Sequence, residues 1–543
     1  MPSPLEIKPD VKPETVYPAC RNVLTSAQWD RITGNQDDDL SWETLPEIIS
    51  RLTDKAKLPA YLSELACLEN TFFQLNQKQT AIPQDVKELT VNPTLQLLPM
   101  RWGNLAKLLP SDKNTASDAL PEQRDNMVLL WRNLRTDEIC VREAEDEELL
   151  VLKMIVEKID PQQAARDSDL PAVVLDAAVN RTVRKGILLA PASRIRRDSD
   201  SFPIRPGMDE KFLKASVFTL QWHITQLCDL HCKHCYDRTN RTMPDFEQAV
   251  RILDDLHAFC RNHHVTGQVS FTGGNPLLYP HFNALYREAS KRDFSLAILG
   301  NPAGKKRIQE LLDIETPVFY QVSLEGLQAH NDSIRGAGHF ERTLHFLDIL
   351  KEMNIFSMVM LTLTRDNMDQ VLPLAEVLRR RTDLFTFNRL SSVGEGANLS
   401  LPDPDVYAVF LKTYLKAARS NPIISLKDSL INIYRHQNQT EWFGGCAGYG
   451  CGAAFNFVSL LSDGEVHACR KFPSPIGHIT EQNLDTIYYS DAAQRYRSGC
   501  HGCRTCAIRP VCGGCLAVSY SHGLNIFEEK DPYCFMKPSE NKI

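Results

Sequence analysis

Between residues 216 and 392, six short apolar runs alternate with helical patterns, and this leaves few folds open. The runs are SVFTLQWHIT, QVSFTGG, SLAILGN, VFYQVSLEG, FSMVMLTLTR and LFTFNRLSS. Between the first two lies PDFEQAVRILDDLHAF, with Phe246, Val250, Leu253 and Leu256 at helical spacing. Strands of this kind cannot pair as hairpins when helices separate them. They pair in parallel, with the helices packed outside. Six units fall short of the eight of a closed barrel, so the expected class is α/β with an open, partial (β/α)6 barrel. Ligand sites in such sheets lie beyond the carboxyl ends of the strands.

The first strand runs straight into LCDLHCKHCYD, residues 227–237. Three thiols, Cys228, Cys232 and Cys235, and two imidazoles, His231 and His234, stand in this one stretch. The chain has 16 cysteines, and eleven besides Cys500 fall in two groups, within 228–235 and 446–534. Cys20, Cys67, Cys140, Cys260 and Cys500 stand apart from the inferred ligand sets. The N-terminus lacks a basic start followed by an apolar core, and no apolar run reaches the ~18 residues of a membrane span. A cytoplasmic protein is therefore expected, with no membrane partner. Disulfides are rare there, so clustered thiols point to metal. A net charge of −7 gives no general reason to bind nucleic acid. The basic run Arg194, Arg196 and Arg197 is followed by Asp198 and Asp200, and reads as a solvated linker.

At this level two metals remain open. Structural zinc wants four protein ligands, and a histidine would have to complete the three cysteines. Three thiolates on a four-iron cluster instead leave one iron free.

C-x3-C-x2-C after a first strand, followed by the aromatic Tyr236, resembles the radical S-adenosylmethionine (SAM) superfamily. FTGGNP places Gly273, Gly274, Asn275 and Pro276 where that family has Gly-Gly-Glu-Pro. VSLEG and HNDSIRG supply Ser323 and Arg335 at its ribose and carboxylate positions. The resemblance implies a [4Fe-4S] cluster on the three cysteines, with SAM on its open iron. One electron then cleaves the sulfonium, and a 5′-deoxyadenosyl radical takes hydrogen from the substrate. Asn275 departs from the family glutamate; its amide oxygen accepts a hydrogen bond without charge assistance. The two histidines need no catalytic role in this reading.

The C-terminal cysteines read Cys446-x4-Cys451, Gly464-x4-Cys469, Cys503-x2-Cys506-x5-Cys512-x2-Cys515, and Cys534. This resembles the SPASM extension of peptide-modifying radical SAM enzymes, which carries two auxiliary four-iron clusters. The resemblance assigns Cys446, Cys451, Cys469 and Cys515 to the first and Cys503, Cys506, Cys512 and Cys534 to the second. C-x2-C at Cys512/Cys515 departs from the usual C-x3-C, and Cys500 is near enough to substitute for a ligand. A zinc ribbon on 503/506 and 512/515 is the competing reading. Sulfatase maturases carry an aspartate after the third cysteine, where this chain has Arg470.

By length, three to four domains are expected. Residues 1–86 read as helical: Ser41 caps Leu45, Ile48, Ile49 and Leu52, and Leu62, Leu65, Leu68, Phe72 and Leu75 form a second apolar stripe. Residues 87–200 read as strands, then a helix with Leu149, Leu152, Val156 and Ile159 on one face, then a second helix closed by Gly186. This order resembles the winged helix-turn-helix recognition element of ribosomal-peptide maturases, where a leader peptide adds to a sheet edge. Only Arg181, Arg184 and Lys185 would face DNA, too few for a nucleic-acid reader. Residues 201–400 form the barrel, 401–440 a helical bridge and 441–543 the SPASM domain. RIRRDSDSFPIRPGM, with Pro203, Pro206 and Gly207, is a linker.

Together these features resemble a radical SAM/SPASM peptide maturase, most like the selenobiotic, or thio(seleno)oxazole-modification, group. The resemblance implies three [4Fe-4S] clusters, SAM, a leader-containing precursor peptide, and an electron donor such as ferredoxin or flavodoxin. It implies a thioether or selenoether crosslink to cysteine or selenocysteine. Carbon–carbon crosslinking, epimerisation and sulfatase-maturase-like oxidation are the alternatives.

Overall fold

The structure is a computed structural model describing residues 11–34, 44–53, 57–78, 83, 86–109, 120–134, 136–159, 172–202 and 209–537. The chain divides into two units, Met1–Ala192 and Ser193–Ile543. The Ser41 cap and the Pro203–Gly207 linker fall outside the described residues. No helix among the described residues is long and apolar enough to cross a membrane.

In the second unit the six predicted strands form: β6 Val217–Thr225, β7 Thr266–Gly273, β8 Ser295–Leu299, β9 Phe319–Ser323, β10 Ser357–Leu363 and β11 Leu384–Arg389. Each pairs in parallel with the next, in chain order. The helix Phe246–His263 opens on a reciprocal cap between Asp245 and Gln248 and buries Ala249, Leu253, Leu256 and Phe259. Trp222 on β6 and Phe271 on β7 stack 6.1 Å apart in a core shared by the whole unit.

The C-terminal segment holds more than loops. β12 Phe457–Leu460 pairs in parallel with β6, and β13 Glu465–His467 and β14 Pro475–His478 follow antiparallel. One sheet of nine strands results, in the order β11-β10-β9-β8-β7-β6-β12-β13-β14.

Arg197 corrects the solvated-linker reading. Its guanidinium donates to the carbonyls of Arg497 (3.0 Å), Tyr449 (2.9 Å) and Cys451, and lies 3.9 Å from the Phe455 ring centre. A cation whose donors are shared between two distant segments, 449–451 and Arg497, is a strut.

The first unit begins with five helices, of which Leu62–Gln77 is the longest. Buried Glu69 on it accepts from the backbone amides of Ala19 and Cys20. An antiparallel sheet follows, β2 Gln96–Gly103, β3 Glu122–Arg132 and β4 Ile139–Glu143, with β2 and β4 at its edges. Then come helices Asp146–Glu157 and Ala172–Arg184, and a two-stranded ladder of β1 Thr90–Val91 with β5 Leu188–Leu189. Gly186 has φ +78°, as a helix-ending residue should. The Asp146–Glu157 helix is rotated from the expected stripe. It buries Glu148, Val151, Leu152 and Met154, whereas Val156 is 69% exposed. The reason is electrostatic. Glu148 must reach Arg142 and Lys185, which turns that face inward. Arg181 is likewise paired with Glu147 at 2.6 Å.

Candidate active site

The cysteine loop follows β6 and is pinned to β7 by backbone bonds: Gly274 N donates to Thr225 O (2.8 Å) and Asn275 N to Leu227 O (2.7 Å). Glycine is required here. A Cβ on Gly274 would meet Leu227 O at 2.2 Å, and Gly273 holds φ +132°. These glycines therefore let the strand end pass against the loop that carries the thiols. On the far side, Glu395 N donates to Cys235 O and Lys233 N to Ile334 O.

A cleft of about 450 Å3 opens at the carboxyl ends of the strands. Cys228, Cys232, Cys235, Tyr236, Gly273, Gly274, Ser323 and Arg335 line it together. Its volume suits a small-molecule cofactor. Asn275 and Pro276 lie behind this wall and are buried. The Asn275 amide donates to Asp229 (3.0 Å), and its oxygen accepts from Leu277 N. Asn301 donates to the same Asp229 oxygen at 2.6 Å. The carboxylate at this corner thus comes from the cysteine loop.

Arg335 is bound already. Its Nε and Nη2 donate to Glu325 Oε1 at 2.9 and 2.6 Å, and Nη1 lies 3.7 Å from Cys232 Sγ. His234 lies 2.8 Å from the same Glu325 oxygen, and Thr362 N donates to the other. Burial favours the neutral acid, but His234 and Arg335 outweigh it and hold the Glu325 carboxyl well below the usual range. His234 therefore has a structural partner, a role the sequence reading did not give it. Burial also pushes the Cys232 and Cys235 thiols up, with Arg335 opposing this at Cys232.

The C-terminal cysteines gather in two places. Cys446, Cys451, Cys469 and Cys515 line one cavity, with Lys427 and Lys471. Cys503, Cys506, Cys512 and Cys534 line another. Burial drives the Cys451 thiol up to about 12 and Cys469 to about 11. Such thiols do not ionise unaided at neutral pH; iron would hold them as thiolates. The donor set therefore fits iron–sulfur ligation. Cys500 lies in a separate small cavity beside Cys451 and Cys503.

Four residues that the sequence did not single out, Arg389, Asp428, Lys471 and Asp531, hold this region together. Arg389, at the end of β11, forks onto Asp531 at 2.8 and 2.7 Å, and its Nε lies 2.8 Å from Asp428. Asp531 also accepts from Cys515 N (2.9 Å), which ties a thiol of the first cavity to the sheet. Lys471 donates to Arg389 O and lines both the first cavity and the main cleft. Arg470 faces the cleft, 3.4 Å from Thr272 Oγ1. The residues are plain in the sequence, but partners 39, 82 and 142 positions from Arg389 leave no spacing to read.

The chain thus has a parallel α/β sheet with three thiols at its mouth and a cysteine-rich C-terminal extension, and a radical SAM domain and an iron–sulfur cluster-binding domain match it there. Residues 222–378 match the radical SAM superfamily, and residues 451–515 match the SPASM iron–sulfur cluster-binding domain. The AdoMet-dependent heme synthase of Methanosarcina barkeri is 24% identical over 353 residues, 59% of this chain and 97% of that protein. Mycofactocin maturase MftC of Mycobacterium ulcerans is 25% identical over 335 residues, 58% of this chain and 87% of that protein. Streptococcus suis SuiB bound to its precursor peptide SuiA aligns with TM-score 0.49 and 17% identity, covering 76% of this chain and 96% of that one.

Proposed function

We propose that this enzyme modifies a ribosomally made, leader-containing precursor peptide, and that it carries three [4Fe-4S] clusters. The observation that carries this reading is the wall that the cleft shares with the first C-terminal cavity. The barrel cysteines and Lys471 share the cleft, and Lys471 also borders the Cys446/Cys451/Cys469/Cys515 cavity. A substrate in the cleft would lie between two cysteine cages. When bound, the barrel cluster and SAM supply a 5′-deoxyadenosyl radical. Cys228, Cys232 and Cys235 would hold that cluster, and the Gly273–Gly274 backbone, Ser323 and the Arg335–Glu325 pair would shape the SAM side of the cleft. Similarity to a mycofactocin maturase supports a peptide substrate.

The three-stranded sheet of the first unit is the proposed leader-recognition element. β2 contains Pro99, which has no ladder donor, and its Arg101 N–H is taken by Glu64. β4 is the other edge, and we assign leader addition to it. A thioether or selenoether crosslink in the product, as in the selenobiotic group, is the finer proposal. A second reading, action on a small molecule rather than a peptide, is supported by similarity to an AdoMet-dependent heme synthase.

The test is anaerobic incubation with SAM, reductant and a cysteine-rich peptide encoded beside the gene, read by mass. A loss of two hydrogens that requires the leader supports the crosslinking maturase. Leader-independent turnover, or none with any peptide, contradicts it.

A further inference from the structure

Three arginines converge between the two C-terminal cysteine cavities with no acidic partner among the described residues. Arg197, Arg497 and Arg509 line one small cavity together with Cys451 of the first set and Cys503 of the second. Arg497 and Arg509 are 8% and 4% exposed. Their donors go to neutral acceptors. Arg509 donates to the carbonyls of Cys500 (3.0 Å) and Ser498, and Arg497 donates to those of Ala454 and Tyr488 and to the Gln494 side chain. Arg197 donates to three carbonyls, as described above. The Nε atoms of Arg197 and Arg509 are sealed from solvent without a partner. Phe202 lies under both guanidinium groups, 4.5 Å from Arg197 and 4.6 Å from Arg509.

Three guanidinium charges gathered this closely repel one another, and unpaired buried charge costs several kcal/mol per ion. Arg389, also buried, is by contrast neutralised by two aspartates. Something else must balance this trio. A four-thiolate, four-iron cluster is a net anion and becomes more negative on reduction. The flanking cages are where such anions would sit.

We propose that Arg197, Arg497 and Arg509 form a shared counter-cation between the two auxiliary clusters, which raises the reduction potentials of both and favours electron transfer between them. They act through the clusters, as positioning residues rather than catalytic ones. The proposal rests on the two-cage reading above. Its physical basis is that fixed positive charge in a poorly solvated site stabilises the reduced, more anionic state.

The test is a dithionite redox titration followed by electron paramagnetic resonance. It uses the full chain in a Cys232→Ala background, so that only the auxiliary clusters report. Parent iron content tests the cages themselves, at about eight irons per chain for two four-iron clusters. Arg509→Gln keeps hydrogen-bonding capacity and loses charge; Arg509→Lys keeps charge and loses the fork. The expected result is at least a tenfold fall in the reduced-to-oxidised ratio at fixed potential for Arg509→Gln, which is 59 mV for a one-electron couple. Arg509→Lys should stay near the parent. Loss of iron in Arg509→Gln but not in Arg509→Lys would also support the charge role. Unchanged potentials in a loaded Arg509→Gln, or equal loss of iron in both variants, would overturn it. A parent without iron would overturn the cages and the arginine role together.

Discussion

Glu325 stands where charge, burial and geometry meet. It is 1% exposed and engages Arg335, His234 and the Thr362 amide. Removing its charge leaves a buried guanidinium unpaired beside Cys232. Glu325→Gln should therefore destabilise the second unit by about 3–5 kcal/mol, seen as a lower unfolding midpoint. The pH dependence has a definite sign. Folding lowers the Glu325 pKa, so its contribution is complete above the unfolded-state value near ~4.3 and drains away as pH falls below it. Between about pH 5 and 3 the parent should lose more stability than Glu325→Gln does. Equal acid sensitivity would show that the pair contributes nothing. Glu325 was visible in VSLEG, but a strand-end glutamate reads as solvent-facing. Nothing local shows that it turns inward to an arginine on the next helix.

Elements made the site legible in order but not in join. The six-fold alternation predicted the parallel sheet because apolar runs separated by helices have no hairpin option. The three thiols could be placed at its mouth because their spacing is local. Gly273 and Gly274, at the end of β7, make room for the cysteine loop. A methyl group at Gly274 would strike the Leu227 carbonyl. Gly274→Ala should thus displace the cysteine loop and lose about four of twelve irons, leaving the C-terminal cages loaded, by iron analysis. Retention of all the iron would contradict this account of the loop. The continuation of the sheet into β12–β14 was illegible, since its strands are three or four residues long and lie among cysteines that signal loop. So was the Arg389–Asp531 clasp, whose members are 142 residues apart. Arg389→Leu strands two buried aspartates and should cost about 3–5 kcal/mol. Loss of iron from the Cys515 cage should follow, with the barrel cluster kept.

At the scale of the molecule, we propose a barrel that makes a radical and two C-terminal cages, of which the Cys446/Cys451/Cys469/Cys515 one shares a wall with the barrel cleft. The twofold division of the C-terminal cysteines came from resemblance, and the two cavities place those same sets together. The full chain should bind about twelve irons. The central claim is that Cys228, Cys232 and Cys235 hold the iron that cleaves SAM. It is tested most directly by measuring 5′-deoxyadenosine from anaerobic, reduced enzyme and from Cys232→Ala. The account predicts that the variant makes none while keeping about eight irons in the C-terminal cages. Continued 5′-deoxyadenosine formation by Cys232→Ala would contradict it.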